Sequence, residues 1–141
     1  MEEFQGAVLN EKLKYLDEWN KKRKEIAKFY EKYLKNLEIK GFIKLPKRAE
    51  YNNTHIYHLY VIEILKKNRD DLFEFFKNEG IEVGIHYPLA LHKLKVYNQK
   101  DIKFPVAEQK QKLILSLPIG KHLRERDIKI ITQKIDFFLN K

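Results

Sequence analysis

Cysteine is missing from all 141 residues, which excludes disulfides and cysteine-based zinc sites and suits a reducing compartment. Glycine occurs five times and proline four, too few for a fibrous or low-complexity chain. No stretch approaches the roughly 20 apolar residues of a membrane-spanning helix. The opening Met1-Glu2-Glu3-Phe4 is acidic, unlike the basic start of a secretory signal, so a cytoplasmic location without membrane contact is expected. There is no Gly-rich phosphate loop, and the single serine, Ser116, lies in a strand-like run rather than a nucleophile elbow. Carboxylates fall mostly on solvated helix faces. These residues alone carry no self-sufficient active site.

Hydrophobic residues make up 43% of the chain, enough for a core, and 17.1 kDa suits one domain spanning 1–141. The net charge of +9 suggests a polyanion partner, but the basic residues argue otherwise. Of the 29, 24 are scattered lysines, and only Arg23, Arg48, Arg69, Arg124 and Arg126 offer the planar fork that clamps phosphates. A solvated surface is expected, and nucleic acid is not an expected partner.

Periodicity predicts one helix from Glu3 to about Leu37. Its apolar stripe runs through Phe4, Ala7, Val8, Leu13, Leu16, Trp19, Ala27, Tyr30 and Leu34. Such a helix would be about 50 Å long, more than a domain of this size can cover, so part of the stripe should lie against something outside the fold. A short strand is expected within Gly41 to Lys47. A central strand, apolar on both faces, is expected over Thr54 to Ile64. Asn68 reads as the cap of a helix that buries Leu72, Phe73, Phe75 and Phe76 and ends at Gly80. A strand over Ile81 to Ile85 then runs into His86-Tyr87-Pro88. Beyond an irregular loop, Leu89 to Lys103, a short helix starts at Pro105, a strand covers Leu113 to Pro118, and a closing helix covers Arg124 to Asn140. Few strands separated by helices indicate an α+β layer, one small sheet with helices packed mainly on one side.

Five histidines invite a metal reading. His55 and His58, three apart on a predicted strand, point to opposite faces, and His92 and His122 lack partners at ligand spacing, so no metal is expected. His58 reads as a core histidine. His86 and Tyr87 stand where a strand meets an irregular loop, a position that exposes side chains on a rigid support.

Eight stretches, in order over essentially the whole chain, resemble the C-terminal domain of the DegT/DnrJ-type sugar aminotransferases. They are Glu3-Phe4-Gln5-Gly6-Ala7-Val8-Leu9, Lys12 to Asn20, Arg23 to Tyr30, His58-Leu59-Tyr60-Val61-Ile62, Gly80-Ile81, Gly84-Ile85-His86-Tyr87-Pro88, Phe104-Pro105-Val106-Ala107-Glu108, and Leu115-Ser116-Leu117-Pro118-Ile119. The resemblance implies the α+β small domain of fold-type-I pyridoxal-phosphate enzymes: a long N-terminal helix plus a small, mainly antiparallel sheet covered by helices. It also implies a parent enzyme, a homodimer, that aminates nucleotide-linked keto sugars. A preceding large domain would hold the cofactor and its Schiff-base lysine.

By the same resemblance this chain carries no catalytic residue and binds no cofactor alone. His86, Tyr87 and Pro88 match a loop beside the substrate entrance. His58 and Arg23 match residues of structural or indirect role, Arg23 in an internal ion pair. Arg124 stands where many relatives have a Thr or Ser cap. A related dehydratase activity shares the scaffold. The alternative reading is a stand-alone module that binds a protein or a polyanion without catalysis.

Overall fold

The computed structural model describes residues 2–47, 55–97 and 102–141. Two helices begin it, α1 (Glu3–Leu13) and α2 (Leu16–Ile39), in place of the single helix expected. At the break the Tyr15 N–H donates to the Lys12 carbonyl, 3.1 Å away and three residues back, so the turn tightens while the backbone stays right-handed. Asp17 and Glu18 then fall in the first turn of α2, where the helix dipole favours acids. No residue of α1 is buried; Phe4 is 79% exposed and Leu13 64%. The stripe of α2 does reach the core, burying Ile26, Ala27, Tyr30, Leu34 and Leu37.

α2 ends at Gly41, whose φ of +70° lets its N–H and that of Phe42 reach back to the Glu38 and Leu37 carbonyls. Three strands follow in the sheet order β1 (Ile43–Lys44), β2 (Tyr60–Ile64), β3 (Ile114–Leu117), both pairings antiparallel. β2 is central, as the sequence suggests. Tyr60, Ile62 and Ile64 are fully buried on one face, with Val61 and Glu63 half-buried on the other. β1 is a short strand within Gly41 to Lys47, as expected.

β2 also begins later than expected. Thr54 lies outside the described residues, and Tyr57 adopts a left-handed φ of +51° that ends the alternation of faces. The Arg23 guanidinium holds this turn, donating to the carbonyls of Tyr57 (3.2 Å) and His58 (3.0 Å). Arg23 therefore clamps backbone carbonyls, and among the described residues it forms no ion pair. His58 is exposed, not in the core, because the turn shifts it off the buried face.

α3 (Arg69–Asn78) starts on the Asn68 side chain, which accepts the Asp70 N–H at 2.7 Å, and stops at Gly80. Its Leu72 and Phe76 are buried, with Phe73 and Phe75 packed at the margin. The strand expected over Ile81 to Ile85 does not form; among the described residues only Gly84 pairs, with Ser116. A 3-10 turn at Leu91–Lys93 interrupts the long loop, and α4 (Pro105–Leu113) starts on its proline. α4 reaches the second face of the sheet, where Lys110 meets Glu63 at 2.5 Å. α5 (Glu125–Asn140) packs beside α2 and buries Ile128, Ile131, Ile135 and Leu139. Its start is better satisfied than Arg124 suggests, because Asp127 reaches back to accept the Arg124 N–H at 2.8 Å.

Candidate functional site

Two backbone bonds tie residue 84 to the outer side of β3: Gly84 N–H to the Ser116 carbonyl at 3.0 Å, and Ser116 N–H to the Gly84 carbonyl at 2.7 Å. From this anchor the chain turns outward, and the His86 ring folds back over Gly84. A Cβ at residue 84 would lie 2.3 Å from His86 Cε1, closer than real contacts allow. The ring is held by the Ser116 hydroxyl, whose Oγ lies 3.0 Å from Nδ1, and Ser116 itself is only 5% exposed. His86 is thus an exposed imidazole with one nitrogen fixed by a buried hydroxyl on a strand.

A ring folded over a glycine recurs nearby. The His122 ring lies over Gly120, where a Cβ would come within 2.8 Å of Cε1. Between the two rings opens a cleft of about 750 Å³. Ile81, Val83, Ile119 and Ile131 give it an apolar lining, while His58, Glu82, Ser116 and Asp127 add polar groups from four separate segments. A few convergent polar groups on an apolar floor are the usual make-up of a small-molecule site.

Tyr87 follows His86 through a cis peptide bond and is 75% exposed, its ring meeting His86 edge-on at 6.0 Å. Pro88 is exposed beside it. The structure therefore puts His86 and His58 on one cleft, with Tyr87 and Pro88 adjoining His86 along the chain. Arg23 does not line the cleft; its guanidinium donates to the carbonyls of Tyr57 and His58. Among the described residues no group of three His, Asp or Glu side chains could hold a metal ion.

Ser116 and His122 line the cleft although neither a nucleophile elbow nor ligand spacing marks them in the sequence. The available signal was a repeated Gly-x-His, at residues 84–86 and 120–122, in which the missing side chain makes room for the ring two residues on. The pairing of His86 with Ser116 spans 30 residues, so only the sheet reveals it.

The family model for the DegT/DnrJ/EryC1/StrS aminotransferases matches residues 1–136. The chain is 32% identical, over 96% of its length, to dTDP-3-amino-3,6-dideoxy-alpha-D-galactopyranose transaminase of Aneurinibacillus thermoaerophilus, and covers 36% of that protein. It is 30% identical over 91% of its length to UDP-N-acetyl-3-dehydro-alpha-D-glucosamine 3-aminotransferase of Acidithiobacillus ferrooxidans, covering 33% of it. Among solved structures, DesV of S. venezuelae in complex with a ketimine intermediate superposes with a TM-score of 0.87 at 29% identity, covering all of this chain and 37% of that one. A DegT/DnrJ/EryC1/StrS aminotransferase from Brucella abortus gives 0.83 at 34% identity, covering 97% and 35%. The chain spans about a third of the length of the curated relatives it matches.

Proposed function

Since this chain belongs to the DegT/DnrJ/EryC1/StrS aminotransferase family, we propose that it forms the C-terminal, small domain of an enzyme that aminates keto sugars carried on nucleotides. The observation that carries this reading is the superposition of the whole chain on DesV, a protein seen with a ketimine intermediate. Relatives named as dTDP-sugar and UDP-sugar transaminases support the substrate class.

The cofactor of this family is pyridoxal phosphate, which when bound acts as the electron sink for exchanging an amino group with a carbonyl. Holding it takes a lysine amine withdrawn from water, an acid against the ring nitrogen and a cradle of donors for the phosphate. Among the described residues no lysine is buried, and the cleft beside His86 is lined by neither lysine nor arginine. The residues of this chain do not fit the cofactor by themselves. The cofactor, and the lysine that binds it, belong to another part of the enzyme.

This chain's share is then the substrate pocket. His86, fixed through Nδ1, presents the rest of its ring to a bound sugar, and Tyr87 offers an uncovered aromatic face at the entrance. Pro88 limits the turn that carries them. His58 and Arg23 support the opposite rim. The uncovered side of α1, with Phe4, Leu9 and Leu13, packs against the cofactor-bearing domain near the subunit interface of a homodimer.

The test is to express the whole reading frame that contains this chain and to incubate the product with an amino-acid donor, pyridoxal phosphate and dTDP- or UDP-linked keto sugars. Mass spectrometry should show the oxo group replaced by an amino group, and His86→Ala should raise KM for the sugar substrate. Absence of amino transfer to every such sugar would overturn the reading.

A further inference from the structure

Segment 85–89, which carries His86, Tyr87 and Pro88, hangs between two anchors. Its first end is the Gly84 and Ser116 pair described above. Its second end lies on α4, where the Gln111 side chain, 8% exposed, accepts the Ala90 N–H at 2.6 Å. One turn earlier on the same face of α4 stands Glu108. Its Oε1 lies 3.2 Å from Nε2 of His92 and also accepts the Phe104 N–H at 3.0 Å, while Oε2 takes the Lys93 ammonium at 2.8 Å. His92 is 9% exposed, and its ring packs against Phe104 at 5.0 Å. One carboxylate thus joins the start of α4 to both polar residues of the 3-10 turn.

We propose that Glu108 is a positioning residue: by clasping His92 and Lys93 it fixes the segment after Pro88 and so sets where Tyr87 stands at the substrate pocket. The claim rests on the reading of segment 85–89 as a wall of that pocket. The clasp is built, not incidental. Three donors converge on one acid, which holds the Glu108 carboxyl down to about 2, the Lys93 hydrogen bond being the largest cause and the Phe104 N–H the next. Charge-assisted bonds of this kind are the stronger class of hydrogen bond. Without the clasp, Ala90 would retain Gln111, but the 3-10 turn would have no polar hold on α4 among the described residues.

The experiment has two arms. In this chain, amide hydrogen exchange is compared among the native protein, Glu108→Ala and Glu108→Gln. Glu108→Ala should speed exchange at residues 90–94 about tenfold, leaving α2, β2 and α5 unchanged, whereas Glu108→Gln, which keeps one acceptor oxygen but loses the charge-assisted bond to Lys93, should restore only part of the protection. In the intact enzyme, Glu108→Ala should raise KM for the nucleotide sugar about tenfold with kcat within about twofold. Unaltered exchange at 90–94, or equal loosening of the core helices, overturns the clasp. Loosened exchange with an unchanged KM overturns the positioning role alone. An intact native enzyme that transfers no amino group overturns the functional reading and the positioning role with it, and leaves the clasp to the first arm.

Discussion

The imidazole of His86 occupies the space in which a side chain at Gly84 would have to stand, so the glycine sets the ring's place as much as Ser116 does. Gly84 does not adopt a positive φ, so an alanine there is compatible with the backbone, and the ring must move instead. Gly84→Ala should destabilise by about 1 kcal/mol, because the exposed ring can swing away but the buried Ser116 hydroxyl then loses its partner. The His86–Ser116 bond should be lost. Imidazole nitrogen shifts measured by NMR check this, and shifts identical to those of the native protein would count against it.

Tyr60 is wholly buried, and its hydroxyl has no hydrogen-bond partner among the described residues. Its neighbour Tyr30 stacks on it at 4.7 Å but donates to the Pro118 carbonyl at 2.8 Å. Removing an unpaired hydroxyl relieves a desolvation cost, whereas removing a paired one strands a carbonyl. Tyr60→Phe should therefore be neutral or stabilising by up to about 1 kcal/mol, and Tyr30→Phe destabilising by about 1–2 kcal/mol, in urea unfolding. The reverse ranking would contradict this account.

Burial pushes both phenols well above their ordinary 10.0, chiefly by desolvation. Above pH 10 the unfolded chain loses these protons while the native chain keeps them. The unfolded state then binds fewer protons, so stability must fall as pH rises. The midpoint of urea unfolding should decline above pH 10, and less steeply in Tyr60→Phe. An equal decline in that variant would exclude Tyr60 as a source.

Glu108 gives the opposite sign. The Lys93 ammonium, and after it the Phe104 N–H, hold its folded carboxyl down to about 2, below the usual 4.5. Its contribution to stability is complete above the unfolded value and is lost as pH falls through about 2. Side-chain carboxyl NMR shifts of Glu108 should therefore stay those of the ionised acid at pH 4. A midpoint near 4.5 would show that His92 and Lys93 are not clasped in solution.

What could be read from the sequence was what neighbouring residues decide. Asn68 with the acids after it announces α3, and Gly41 and Gly80 mark the left-handed residues that end α2 and α3. The break between α1 and α2 carries no such mark, because Lys14 and Tyr15 keep right-handed conformations and neither glycine nor proline is involved. His58 escapes the strand pattern because the chain turns at the left-handed Tyr57 and bends through Leu59, so the alternation of β2 begins only at Tyr60. In the site, the resemblance singled out His86 and Tyr87. Ser116 and Glu108 meet His86, His92 and Lys93 at separations of 15 to 30 residues, and His122 lies across the cleft, relations that only the folded sheet and α4 create.

The central claim is that this chain shapes a substrate pocket whose cofactor is held elsewhere in the same enzyme. It is tested most directly by incubating the 141-residue chain and the intact enzyme separately with pyridoxal phosphate, dialysing both and recording their visible absorbance. The intact enzyme should keep a cofactor band and the chain should keep none, since its exposed lysines form only reversible imines. A band that persists on the chain alone, or is absent from the intact enzyme, would contradict the account.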